Sequence, residues 1–140
     1  MIYLVSCVGK KLGYPAPAQD LYISDWFMKA RKFAYPHPWF ILSAKFGLVP
    51  PTKVIPPYEV TLIRMGRNAR EAWAEKVFKS IRETINLSET LVILAGDRYR
   101  EFLAPRLLSY GYQIEIPMHQ LSIGRQLQWM KEHTAKPNLF

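Results

Sequence analysis

The only cysteine in the sequence, Cys7, ends an apolar run, Ile2–Cys7, and is followed closely by Lys10 and Lys11. A thiol at a strand end beside two cations would favour its reactive thiolate form and serve as a nucleophile. Buried in a core, the same residue would behave as a small hydrophobe. Lys10 and Lys45 are candidates for binding phosphate or stabilising developing negative charge, or are solvated surface lysines. Lys45 is flanked by Ser43 and Gly47, in a turn where backbone can approach a ligand closely. Gly96-Asp97-Arg98 opens a helix after an apolar run, where amides and Arg98 would receive a phosphate, or where Asp97 would cap the helix. His119 follows another apolar run and suits acid or base work, or a structural role. Tyr58, beside Glu59, offers a ring that would stack on a base or clamp its own loop onto the core.

Those residues need a scaffold that brings them together. Four apolar, β-branched or aromatic runs read as strands: Ile2–Cys7, Trp39–Ser43, Thr90–Ala95 and Tyr112–Ile116. Most lack polar alternation, as strands covered on both faces do. Helical spacing occupies residues 20–34, 69–86, 97–109 and 122–134, with Asn68 and Glu71 forming a capping-box pattern. Pro105 should kink or shorten the third helix, and Gly111 should stop it. Alternating strands and helices predict a single α/β domain over residues 1–140, a Rossmann-like three-layer sandwich with a mostly parallel four-stranded sheet. Residues 44–66 read as a long loop carrying Pro50, Pro51, Pro56 and Pro57, functional or hiding a short hairpin. In open α/β sheets ligands bind beyond the carboxyl ends of the strands. All the residues above fall at such ends or in that loop.

The chain of 140 residues is 49% hydrophobic and 14% aromatic, a globular composition. It holds 19 Lys and Arg against 11 Asp and Glu, a formal net charge of +8. Residues 1–66 contribute eight basic and three acidic residues, so the excess is concentrated there. Such a balance points to an anionic partner, nucleic acid above all, or serves solubility alone. No apolar run approaches the length of a membrane span, and the start lacks the basic region of a secretory signal, so a cytoplasmic protein without membrane association is expected. One cysteine and isolated histidines offer no metal-ligand spacing, so no metal is expected. The turn at Gly96 is not a dinucleotide or Walker fingerprint, so no cofactor is expected.

Ser43-Ala44-Lys45-Phe46-Gly47-Leu48-Val49-Pro50, followed by Ile55-Pro56-Pro57-Tyr58-Glu59, resembles the signature of YaaA-like proteins. Cys7-Val8-Gly9-Lys10, with Leu21-Tyr22-Ile23-Ser24 further on, is similar to a pattern in the catalytic core domain of archaeosine synthase. An ending like Pro117-x-x-x-Leu121-Ser122-Ile123-Gly124-x-Gln126-Leu127-x-Trp129 is shared with small uncharacterised proteins that carry both halves. Archaeosine synthase acts on a cyano-deazaguanine in tRNA, YaaA-like proteins are linked to DNA binding and peroxide stress, and related systems put deazaguanines into DNA. The resemblance therefore implies a nucleobase within a nucleic acid as substrate. Cys7 would attack, Lys10 or Lys45 would assist, and Ser24, Ser43 and Asp97 would orient the base. The histidine that follows in the archaeosine synthase motif is absent from Tyr22-Ile23-Ser24-Asp25-Trp26. A non-catalytic nucleic-acid-binding stress protein, and an enzyme for a free nucleotide or nucleoside, remain the alternatives.

Overall fold

The computed structural model of the chain describes residues 1–7 and 9–134. Its elements run β1 (Ile2–Ser6), β2 (Ala16–Pro17), α1 (Ala18–Leu21), α2 (Asp25–Ala34), β3 (Trp39–Ser43), β4 (Gly47–Val49) and β5 (Val54–Ile55). A short 3-10 helix (Leu62–Arg64) follows, then α3 (Arg67–Thr84), β6 (Thr90–Leu94), α4 (Asp97–Arg100), α5 (Leu103–Tyr110), β7 (Gln113–Glu115) and α6 (Ile123–His133). The central sheet has the order β4-β3-β1-β6-β7. Strand β1 lies at its centre, parallel to both neighbours, with Val5 opposite Ile41 on one side and Leu94 on the other. Strand β7 extends the parallel set beside β6.

The mixed α/β class and the mostly parallel sheet match expectation, but the strand count does not. The sheet has five strands, because residues 44–66 are not a plain loop. Strand β4 folds back on β3 as an antiparallel hairpin, with Ser43 opposite Gly47. Gly47 permits this tight return because its φ is +74°, a left-handed conformation that side chains disfavour. Further on, β5 pairs with β2 in a separate two-stranded sheet. The proline-rich segment thus follows the molecule's surface under backbone control, with Ala18 N–H donating to Lys53 O and Gln19 N–H to Pro51 O.

Helix boundaries also differ from the periodicity. The pattern over 20–34 is two helices, since Tyr22 adopts extended backbone and Ser24 starts α2 by accepting from Phe27 N–H. Helix α3 begins at Arg67, and Gly66 rather than Asn68 stands at its cap; Glu71 pairs with Arg67 instead of completing a capping box. The pattern over 97–109 breaks after Arg100, and Pro105 sits in the first turn of α5, where no intrahelical N–H is needed. Gly111 ends α5 in a left-handed conformation with its N–H on Leu107 O, as expected.

Burial explains why β1 is central. Tyr3, Leu4 and Val5 are all buried, as are Ile41 and Leu42 of β3 and Leu91 to Leu94 of β6. Helix α2 packs on β1 and α6, whereas α3 packs on α5 and β4, and α5 on β7. Each fully buried Leu or Ile contributes about 1.5–3 kcal/mol by leaving water, so Leu4→Ala in the central strand would cost about 2–5 kcal/mol. Among the described residues, no helix is long and apolar enough to cross a membrane.

Candidate functional site

Two strand ends, the short helix α4 and two connections converge around the sulfur of Cys7. The β1–β3 ladder runs one step past β1, with Cys7 N–H donating to Leu42 O at 3.2 Å, so the thiol lies beside the end of β3. Ser43 ends β3, and its carbonyl is fixed by Trp73 Nε1 of α3 at 2.9 Å. Tyr99 of α4 donates its hydroxyl to Cys7 O at 3.0 Å and rests edge-on against Trp73. Tyr22, between α1 and α2, is held by an antiparallel bridge to Lys11, with Leu12 N–H on Leu21 O and Ile23 N–H on Lys10 O. Tyr58 enters from the segment after β5. Ser43 and Tyr22 are fully buried, and Cys7, Tyr58 and Tyr99 nearly so.

The hydroxyls around the sulfur form one connected set. Tyr58 Oη lies 3.2 Å from Cys7 Sγ, 2.6 Å from Tyr22 Oη and 2.7 Å from Ser43 Oγ. Ser43 Oγ also accepts Phe46 N–H, at 3.0 Å. Tyr58 Oη is the partner that Tyr22, Ser43 and Cys7 share, and Tyr22 lies close to Ser43 and Cys7 as well. Where Tyr58 accepts from Tyr22 and Ser43, its own proton is free for Cys7 Sγ. The sulfur also lies 3.7 Å from Tyr99 Oη, within reach for S–H donation. Burial pushes the Tyr22, Tyr58 and Tyr99 phenols above the ordinary tyrosine range, and negative charge on Cys7 would push them the same way. At neutral pH all three are therefore protonated donors.

Above this floor lies an open groove of about 400 Å³ lined by Lys11, Leu12, Pro57, Tyr58 and Glu59. The Lys11 ammonium stands 4.7 Å from the centre of the Tyr58 ring and 5.6 Å from that of Tyr22. It has no ion-pair partner among the described residues. A neutral hydroxyl at the sulfur and a free cation over the same ring suit an anion, or charge that develops during reaction.

The residues nominated from sequence separate into three groups. Cys7, Ser43 and Tyr58 meet in the cluster. Lys10 is exposed and touches it only through its backbone, while Lys45 is exposed at the β3–β4 hairpin, 5.4 Å from the Phe46 ring. That ring packs edge-on against Tyr58, so Lys45 is separated from the thiol by two aromatic side chains. Ser24 caps α2, and Gly47 forms the hairpin return against Lys76 and Val77 of α3. Gly96, Asp97, Arg98 and His119 occupy the ends of β6 and β7, where their side-chain partners are different. Asp97 pairs with Arg100, Arg98 approaches Glu101 at 3.6 Å, and His119 Nδ1 accepts from Arg100 at 3.3 Å. Arg100 also donates to Ala95 O at 2.9 Å.

Sequence reasoning did not nominate Lys11, Tyr22, Tyr99 or Trp73. Lys11 and Tyr22 carried a usable signal, since Lys11 is one of the two cations that follow Cys7 and Tyr22 stands in the Leu21-Tyr22 segment already singled out. Tyr99 and Trp73 carried none, because helical periodicity marks them as core positions whether or not their polar atoms are used.

The fold and site define an α/β domain with a mostly parallel five-stranded sheet and a buried thiol–phenol cluster at the carboxyl end of its central strand. The chain belongs to a family of unknown function, DUF6884, whose family model matches residues 2–132 and so spans every cluster residue. No curated protein matches the chain.

Proposed function

We propose that this chain is an enzyme that modifies or processes a nucleobase, of deazaguanine type, carried in DNA or RNA, with Cys7 as nucleophile. Its Rossmann-like scaffold is read as a three-layer sandwich, α2 and α6 on one face of the sheet and α3 and α5 on the other. The carrying observation is the connected hydroxyl set: Tyr58 Oη bonds Tyr22, Ser43 and Cys7 Sγ at once, so a chain from Tyr22 and Ser43 through Tyr58 to the sulfur is open to it. Tyr58 is thus poised to hand a proton to a substrate atom and recover one from the thiol. Where the base carries a nitrile, the sulfur bonds to the nitrile carbon and one π bond opens. The nitrogen takes the Tyr58 proton, and the Cys7 proton restores the phenol. The product is a thioimidate with every atom accounted for. Lys11 offsets charge at the mouth, with Lys10 and Lys45 as phosphate contacts further out.

The test is intact-mass analysis of the protein incubated with a nitrile-bearing deazaguanine, free and within an oligonucleotide. An adduct equal to the full ligand mass is expected, and it should vanish in Cys7→Ala while circular dichroism stays unchanged. Turnover that survives in Cys7→Ala removes the covalent reading.

A non-catalytic nucleic-acid-binding module is the second reading, favoured by the 7% exposure of Cys7. It expects Cys7→Ala to bind nucleic acid as the native chain does and to form no adduct in either form.

A further inference from the structure

We infer that the rim of the groove is a track for single-stranded nucleic acid, with Tyr14 as a base-stacking platform. This rests on the proposed reading only in taking the groove as the mouth of the site. Two segments form that mouth: residues 10–17, running into β2, and residues 50–64, which carry β5 and the 3-10 helix. They are joined through the β2–β5 pair. The second also contacts α4, which carries Tyr99. The Lys45 hairpin adjoins them through the contact of Phe46 with Tyr58.

Charge is the first observation. Lys10, Lys11, Lys45, Lys53 and Arg64 stand on these segments and the hairpin, facing a single carboxylate, Glu59. None of the five has an ion-pair partner among the described residues. On the helices, Lys29, Arg31, Arg67, Arg70, Lys79, Arg98, Arg100 and Arg106 sit against Asp or Glu, while Lys32, Lys76, Arg82, Arg125 and Lys131 are unpaired among the described residues, as the mouth cations are. What marks the mouth is its local excess, five cations against one carboxylate, where a polyanion would lie.

Apolar exposure is the second observation and decides the form of the polyanion. Tyr14 is 61% exposed and Ile63 76%, with Val54 and Val60 also in water on the same two segments. A duplex offers a protein phosphates and groove edges, and keeps its base faces stacked. Unstacked bases present those faces to an aromatic ring, the arrangement single-strand binders use. Tyr14 lies two residues from Leu12, which lines the groove, so a base next to one held in the groove comes within reach of its ring.

The experiment uses fluorescence anisotropy with the full chain and with Cys7→Ala, so that binding is read apart from turnover. The probes are a twelve-nucleotide DNA, the matching RNA, and the blunt DNA duplex, from low to high salt. Single strands are expected to bind at least about tenfold tighter than the duplex, with DNA and RNA arms identifying the preferred sugar. Tyr14→Ala should weaken single-strand binding by roughly five- to a hundredfold, as loss of one stacked base does. Lys53→Ala should lower the salt slope by about 0.7, the value for one phosphate contact on a single strand. Equal or tighter duplex binding, or Tyr14→Ala binding like the native chain, overturns the inference. Single strands held by an adduct-free Cys7 would leave the track standing and defeat the reaction. An adduct on free base, with no strand bound, would do the reverse.

Discussion

The carboxyl edge of the sheet holds two polar regions built on opposite plans. At β1 and β3 the polar atoms are buried, uncharged and joined: Cys7, Ser43, Tyr22, Tyr58 and Tyr99 share hydrogen bonds away from water. At β6 and β7 they are charged, locally paired and mostly exposed, around an Arg100 whose own side chain is 13% exposed: Asp97 with Arg100, Arg98 with Glu101, His119 with Arg100. By sequence alone both ends look alike, each a polar turn after an apolar strand. Energy and chemistry concentrate where polar groups are desolvated. A neutral network has no alternative partners there, whereas an exposed ion pair can exchange its partner for solvent at little cost.

Alkaline pH should divide the two regions most sharply. Burial raises the phenols of Tyr22, Tyr58 and Tyr99 above their unfolded value of about 10. The folded state then binds more protons than the unfolded chain above that pH. The cluster's contribution is fully present below about pH 10 and is lost as pH rises toward the folded values, at about 1.4 kcal/mol per pH unit for each tyrosine. Urea midpoints measured from pH 8 upward should stay flat and then fall steeply. Because Tyr3 and Tyr112 are also raised, the cluster's share is read from Tyr58→Phe, whose decline should be shallower by about one proton. An identical decline in that variant would mean that Tyr58 is not held protonated by the fold.

Tyr58→Phe also tests the network at neutral pH. It removes the hydroxyl that Tyr22 and Ser43 share as a buried partner. A buried polar group left without its partner costs about 1–3 kcal/mol, so about 2–6 kcal/mol should be lost in all, read from chemical denaturation. A change below about 1 kcal/mol would show the hydroxyls finding other partners, and the contrast with β6 and β7 would collapse.

Much of the frame was legible from residue types. Continuous apolar runs mark β1, β3 and β6 because strands buried on both faces need no alternation. The fifth strand was legible only as the alternative of a short hairpin hidden in residues 44–66, because Gly47-Leu48-Val49 is too short and too close to prolines to stand out from a loop. Within the site, Cys7, Ser43 and Tyr58 were readable as polar residues at strand ends or in a long connection. Their association was not, because nothing in a linear pattern shows that a residue fifty-one positions after Cys7 returns to it. Lys10 and Lys11 were indistinguishable by type. The bridge between Lys11 and Tyr22 decides that Lys11 overlies the phenols.

Neighbours on β1 supply a finer test. Ser6 is fully buried, and its Oγ is the one buried side-chain polar atom without a partner among the described residues. Strand alternation turns it to the face opposite Cys7. Ser6→Ala removes a desolvated hydroxyl that makes no bond, so stability should hold or rise by up to about 1 kcal/mol. A loss above about 1 kcal/mol would place a hydrogen-bonding partner on that face and extend the polar region through the sheet.

The smallest effect belongs to the wet region. Asp97 is 91% exposed at its side chain and holds Arg100 three residues on, an ion pair that salt screens and water replaces. Asp97→Asn should change stability by no more than about 0.2–1 kcal/mol, and less in high salt. Arg100 keeps its bonds to Ala95 O and His119 whatever stands at 97, so the turn itself has no reason to move. The informative measurement is therefore made on the other region. If the alkaline decline of Asp97→Asn overlays that of the native chain, the two strand ends are energetically independent. If it shifts, α4 couples them, since Asp97 and Tyr99 share that short helix and Tyr99 is bound to the carbonyl of Cys7.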